Sequence, residues 1–149
     1  MSRTDFASRF PPFVRSAAFY ATLAAVLYLS LCPAETVDKN FSKPVQAFDW
    51  LFHASFYVAL GALAVLAFLR RPAPGSAPSE RLFPRLHVAL LLACMGCALE
   101  LAQTLLPFIG RSCSVSDALH NAAGALLGTL LAPGFLLLPP SPRNPPPAP

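Results

Sequence analysis

Polar residues suited to ligand binding or acid–base chemistry occur in three apolar segments of the chain. The segment at residues 48–69 contains Asp49, His53 and Tyr57, and the segment at residues 86–108 contains Glu100 and Gln103. The segment at residues 115–138 contains Asp117 and Asn121, and Arg111 lies just before it. Carboxylates and imidazoles can donate or accept protons, and a guanidinium binds carboxylate or phosphate groups. Such residues are costly in hydrocarbon, so their concentration here indicates a functional site or a buried polar network.

The elements that carry these residues are predicted from composition. Hydrophobic residues make up 55% of the 149-residue chain and charged residues only 12%, whereas about 25% charged residues is usual in globular domains. Four apolar segments cover about residues 13–31, 48–69, 86–108 and 115–138, each close to the roughly 20 residues that cross a bilayer. The predicted fold class is an all-α membrane protein with four transmembrane helices.

The distribution of basic residues predicts the domain organisation and the orientation. Residues 1–12 form an amino-terminal segment, residues 13–138 the four-helix domain, and residues 139–149 a tail whose proline content is typical of disorder. Eight of the eleven Lys and Arg residues lie near the amino terminus, in the loop between the second and third helices, or in the tail. By the positive-inside rule, both termini are predicted to be cytoplasmic.

This topology places the polar residues at the outer face of the membrane, because the second and fourth helices begin there and the third ends there. Gly124 and Gly128 continue the Asp117–Asn121 face as a small-xxx-small pair, which allows close helix packing. A stripe of alanines predicts a similar packing face on the first helix. We predict an outer-leaflet pocket formed by Asp49, His53, Tyr57, Glu100, Gln103, Arg111, Asp117 and Asn121.

Spacing alone leaves three functions open. In the first, Arg111 contacts an anionic, amphipathic ligand. In the second, Arg111 is the hub of a purely structural network of carboxylates in a membrane subunit. In the third, carboxylates beside a histidine act as acid and base in an intramembrane enzyme. No serine or cysteine has an evident base beside it that would make it a nucleophile. This favours a binding protein, although an enzyme stays open. The sequence shows no metal-ligand spacing, cofactor motif or nucleic-acid-binding pattern, so we expect no metal, cofactor or nucleic acid. The enzyme alternative nevertheless leaves open a divalent ion held by Asp49, Glu100 and Asp117.

The order of these residues resembles the signature of a known family. The series Glu100-Leu-Ala-Gln103, Pro107, Arg111, Ser116-Asp117, Asn121, Gly124 and Gly128 is similar to the ExxQ…P…R…D…NxxG…G pattern of the VanZ-like family. Upstream, Asp49, His53, Tyr57 and Gly61 resemble the DKxxHfxxy…G segment of that family. Trp50 replaces a lysine common in the family, and the segment from Pro107 to Arg111 is longer than the family's compact Pro-Gly-Arg.

The resemblance implies a multi-pass protein of the bacterial cytoplasmic (inner) membrane. The family takes its name from a protein linked to teicoplanin resistance, and most of its members have no assigned biochemical activity. The implied roles are antibiotic resistance or envelope homeostasis. The implied partners are membrane lipids and a lipid-linked cell-wall precursor or lipoglycopeptide, and no protein partner is implied. In a host with an outer membrane, teicoplanin would not reach this protein. Antibiotic resistance would then be only the name of the family and not the function of this member.

Overall fold

In the computed structural model, which describes residues 10–40, 49–69, 72–73 and 75–132, the chain folds into a bundle of four long helices. The side chains of Val37, Asp38, Asn40 and Asp49 lie outside this description. The elements are α1 (Pro12–Leu31), α2 (Ala34–Asn40), α3 (Asp49–Phe68), α4 (Pro78–Leu105), a short 3-10 turn (Pro107–Ile109) and α5 (Val115–Leu131). The described residues contain no strand, so the prediction of an all-α fold is confirmed.

Three of the helices, α1, α3 and α4, are long and apolar enough to cross a membrane. Large hydrophobic side chains such as Leu91 and Phe13 are more than two-thirds exposed on the surface of the bundle, as expected for surfaces that face lipid. The fourth predicted span is described only in part. Helix α5 has 17 residues and rises about 26 Å, less than the roughly 30 Å of the hydrocarbon core, and residues 133–149 lie outside the described residues.

Helix α4 begins earlier than the sequence predicted. The segment Pro78–Arg81 was expected to belong to a polar loop, but it forms the first turn of α4. Pro78 suits this position because its fixed φ matches a helix and its missing N–H needs no partner there. The Glu80 side chain then accepts a hydrogen bond from the Ala77 backbone N–H at 3.2 Å. The predicted tail, residues 139–149, and most of the predicted amino-terminal segment, residues 1–12, lie outside the described residues.

Helix α1 packs through a different face from the predicted one. The alanines of the predicted stripe are mostly exposed, and Phe19, Leu23 and Val26 pack against the core instead. Arg15 lies one turn before Phe19, and its guanidinium donates to the Leu66 carbonyl at the end of α3 at 2.9 Å. This bond selects the face, because the last carbonyls of a helix have no partner within the helix.

A second arginine donates hydrogen bonds to the backbone carbonyls at the carboxyl end of α5. Arg85 is only 6% exposed, and its Nη1 donates to the carbonyls of Thr129 at 2.6 Å and Ala132 at 3.3 Å. The sequence predicted that Arg85 lies in the loop between the second and third helices, and for Arg85 this prediction is wrong. Arg85 lies inside α4, where its positive charge also compensates the negative end of the α5 dipole.

Glycines bring α3 and α5 closer together than any side chain would allow. A Cβ atom added to Gly124 would overlap the Ala54 carbonyl, and one added to Gly128 would overlap the Val58 carbonyl. Gly61 makes the reciprocal close approach from α3. The α3–α5 interface is also the most extensive in the bundle. These close glycine contacts fix the position of α5 relative to the polar residues of α3.

We expect Gly128→Ala to lower the free energy of unfolding by about 1–3 kcal/mol, because the added methyl group forces α3 and α5 apart. Unfolding of the detergent-solubilised protein, followed by circular dichroism during thermal or SDS titration, measures this. Ala123→Leu on the exposed face of the same helix is the control and should have little effect. A Gly128→Ala protein as stable as the wild type would contradict the close α3–α5 contact.

Candidate functional site

Three residues that can ligate or transfer protons meet where α3 begins, α4 ends and α5 begins. His53, Glu100 and Asp117 each contribute one ring nitrogen or carboxylate oxygen, and these atoms all lie within 4.8 Å of one another. Glu100 is 2% exposed, and the other two are half-buried. The structure therefore brings together one predicted residue from each of the three polar segments.

Asn121 orients the histidine of this cluster. Its carboxamide Oδ1 lies 3.1 Å from His53 Nδ1, and Asn121 is 2% exposed. Because a carboxamide oxygen only accepts, this contact places the proton on Nδ1. The lone pair of the neutral imidazole is then on Nε2.

Tyr57 adds a buried hydroxyl beside the cluster. The residue is 2% exposed, and its hydroxyl has no hydrogen-bond partner among the described residues. A Cβ atom on Gly96 would lie 3.1 Å from this hydroxyl and 3.2 Å from Asn121 Nδ2. Gly96 therefore leaves the space in which the two polar groups lie side by side, and the hydroxyl is close enough to Glu100 for electrostatic interaction.

Glu100 also fixes the start of α5. Its Oε2 accepts a hydrogen bond from the Ser114 backbone N–H at 3.0 Å. The Ser114 hydroxyl in turn accepts from the Asp117 N–H at 3.2 Å and caps the helix. Sequence reasoning missed Ser114, although serine three residues before an acidic residue at the start of an apolar run is a known capping pattern. Gly96 was noticed only as a packing residue.

Gln103 and Arg111 bind the end of α1. Gln103 Nε2 donates to the Ser30 carbonyl at 2.9 Å, and Arg111 Nη1 donates to the Leu29 carbonyl at 3.4 Å. Both carbonyls belong to the last turn of α1 and have no partner within it. These two predicted site residues therefore hold α1 against the polar end of the bundle.

Arg111 forms no ion pair with the carboxylates of the cluster, although its charge lies close enough to Glu100 for electrostatic interaction. The one ion pair that joins two described side chains lies on the exposed surface of α2, and none joins Arg111 to Glu100 or Asp117. The backbone explains this arrangement. The turn Pro107–Ile109 and Gly110, which has a φ of +65°, intervene between α4 and Arg111, and the guanidinium contacts α1.

Two further residues lie at the rim. Asp49 is the first residue of α3, and its side chain lies outside the described residues. Trp50, which replaces the expected lysine, packs against the ring of His120 with 5.6 Å between the centroids. An aromatic pair thus stands where the resemblance would have placed a positive charge.

We expect Tyr57→Phe, in protein stripped of lipid and metal, to leave stability unchanged or to raise the free energy of unfolding by about 1 kcal/mol, because it removes a buried hydroxyl that has no described partner. Chemical or thermal unfolding in detergent gives this value. Tyr20→Phe on the exposed face of α1 controls for the loss of a hydroxyl. A loss of more than about 1 kcal/mol at position 57 would mean that the Tyr57 hydroxyl binds a partner in the purified protein.

Comparison with known proteins identifies the family of this chain. The sequence model of the VanZ/LLP1 family matches residues 6–138, a range that includes every residue of the His53–Glu100–Asp117 cluster and its neighbours. No curated protein and no solved structure matches the chain. Because the family match covers most of the sequence, the chain belongs to the VanZ/LLP1 family.

Proposed function

We propose that this membrane protein binds the polar headgroup of an amphipathic ligand at the end of the bundle where α3 begins. The observation that carries the proposal is the convergence of the buried Glu100 with the half-buried His53 and Asp117. Beside them lies the buried hydroxyl of Tyr57, which has no hydrogen-bond partner among the described residues. Polar groups in a hydrocarbon environment are costly unless they are satisfied. A headgroup that hydrogen-bonds to them would offset that cost.

Arg111 is the proposed contact for a phosphate on the ligand. A guanidinium has five N–H donors, and the described contacts of Arg111 use one of them, in a 3.4 Å bond to Leu29. The residue is half-buried, so phosphate would be bound with less competition from water than at the surface. A lipid or a lipid-linked cell-wall precursor has the required combination of phosphate and apolar chain, and a lipoglycopeptide combines acidic and apolar groups.

We propose that α5 forms the fourth span and that both termini are cytoplasmic. Arg15 and Arg85 lie at one end of the bundle, where they bind the carboxyl ends of α3 and α5, and the polar cluster lies at the other end. The positive-inside rule then supports an outer-leaflet position for the cluster. In this topology, residues 13–138 form one helical domain of the bacterial cytoplasmic membrane, and roles in antibiotic resistance or envelope homeostasis would follow from ligand capture outside the cell.

Native mass spectrometry of the detergent-purified protein tests headgroup binding. We expect wild-type protein to retain a phosphate-containing lipid and Arg111→Gln to lose most of it, because an amide has fewer donors and no charge. Glutamine keeps an N–H for the Leu29 carbonyl, so α1 should stay in place. Lys39→Gln is the matched control, since this exposed lysine lies on α2 and pairs with Glu35.

Equal retention by wild type and Arg111→Gln would contradict the role of Arg111. If wild type retains no ligand and the variant is merely unstable, the polar residues serve only to satisfy helix ends. That outcome would favour the alternative of a structural membrane subunit.

A second candidate function is an enzyme that acts on a lipid-linked substrate. The observation that favours it is the distance of at most 4.8 Å among ligand atoms of a histidine and two carboxylates, an arrangement that can supply both an acid and a base. Water would then hydrolyse one P–O bond, so that purified protein releases phosphate from a polyprenyl-phosphate, or a headgroup alcohol or phosphorylated headgroup from a phospholipid. Glu100→Gln would abolish this release. This variant keeps an acceptor for the Ser114 N–H, so lost turnover would not simply reflect a lost helix cap. Absence of turnover by wild type would exclude these substrates.

A further inference from the structure

We propose that His53, Glu100 and Asp117 bind a divalent transition-metal ion, with Zn²⁺ as the ion best suited to them. One imidazole nitrogen and two carboxylate oxygens are established ligand types for Zn²⁺, which often takes three protein ligands and leaves a fourth position for water or substrate. These ligands lie on three different helices, so they have no metal-ligand spacing along the sequence.

The distances require only small side-chain movements. Four-coordinate Zn²⁺ with bonds of about 2.0–2.1 Å holds its ligand atoms about 3.3 Å apart. The three candidate atoms lie within 4.8 Å of one another. Side-chain rotations that move these atoms by roughly 1 Å or more would bring them to the spacing that Zn²⁺ requires. The helices themselves can stay in place, since α3 and α5 are already in backbone contact through their glycines.

Charge compensation favours a cation at this position. Two carboxylates lie close together here, and no ion pair joins either of them to a described lysine or arginine side chain. Glu100 is almost completely buried, and its described hydrogen bond comes from a single backbone N–H. A divalent ion would compensate both carboxylates at once.

Two neighbouring residues resemble the surroundings of a metal site. The Asn121 oxygen accepts from His53 Nδ1–H at 3.1 Å, an arrangement that fixes the tautomer and directs Nε2 electron density toward a metal. The buried Tyr57 hydroxyl, which has no described partner, is an observation independent of the three ligands and lies beside Glu100 and Asn121. In the proposed site this hydroxyl would donate to a water on the ion.

The pair Cys94 and Cys97 is the competing metal-binding feature. Both cysteines are exposed on α4, and Cys97 lies close enough to Tyr57 for electrostatic interaction. Zn²⁺ bound by thiolates has bonds of about 2.3 Å, whereas nitrogen and oxygen ligands give about 2.0–2.1 Å. X-ray absorption therefore distinguishes the two sites in unmodified protein.

The first measurement is X-ray absorption at the zinc edge on tag-free, full-length protein loaded with one equivalent of Zn²⁺ in detergent. We expect a first shell of nitrogen and oxygen only, with the outer-shell scattering of a single imidazole. A shell dominated by sulfur, or no retained Zn²⁺ after dialysis, would overturn the proposal. This measurement needs no variant, so a folding defect cannot obscure it.

Competition titration with a chromogenic chelator identifies the ligands. We expect His53→Gln and Asp117→Asn to bind Zn²⁺ at least tenfold more weakly than wild type, and Tyr57→Phe to bind about tenfold more weakly, as for other groups around a metal. His87→Gln is the matched control because this exposed histidine on α4 contacts only the Phe83 carbonyl among described partners. Unchanged affinity in both His53→Gln and Asp117→Asn would refute the site. Both readouts follow bound Zn²⁺ rather than lipid, so failure of the metal site and failure of headgroup binding are distinguishable.

Discussion

The fold depends on the need to satisfy backbone carbonyls at helix ends without water. In hydrocarbon, an unpaired carbonyl costs several kcal/mol, and the last four carbonyls of each helix have no partner within it. Arg15 and Arg85 donate to the ends of α3 and α5 at one end of the bundle, and Gln103 with Arg111 donates to the end of α1 at the other. Each donor comes from a different element than its acceptor, so these bonds also set how the helices lie against one another.

Close packing of α3 and α5 determines the geometry of the polar cluster. A Cβ atom on Gly124 would lie 3.0 Å from Tyr57 Cβ, besides overlapping the α3 backbone. The glycine that allows the helices to approach therefore also leaves room for the tyrosine, and the same approach brings Asn121 within hydrogen-bond distance of His53. Gly96 makes the equivalent space on α4. Small residues on two helices thus create the volume that polar side chains from all three helices occupy.

The sequence predicted the helices and the convergence of polar residues well, because both follow from periodic patterns and alternating topology. It could not predict partners that depend on three-dimensional packing. Arg85 looked like a loop residue, yet it is buried against α5; Arg111 looked like a partner for carboxylates, yet it binds a carbonyl of α1. The prediction of the inward face of α1 was wrong for the same reason. The position of Arg15 relative to Leu66 is set only when α1 and α3 pack. The His53–Glu100–Asp117 cluster has no sequence spacing to reveal it.

The direction of these cross-helix bonds along the chain has a consequence for biogenesis. Arg15 and Arg85 precede their acceptors, so each donor has already been synthesised when the end of α3 or α5 emerges from the ribosome. The end of α1 is different, because its donors follow by 73 and 82 residues. During synthesis, the carbonyls of Ser30 and Leu29 therefore lack their donors until Gln103 and Arg111 have been made. Until then the carboxyl end of the first helix needs other hydrogen-bond donors, such as water, lipid headgroups or an insertion factor.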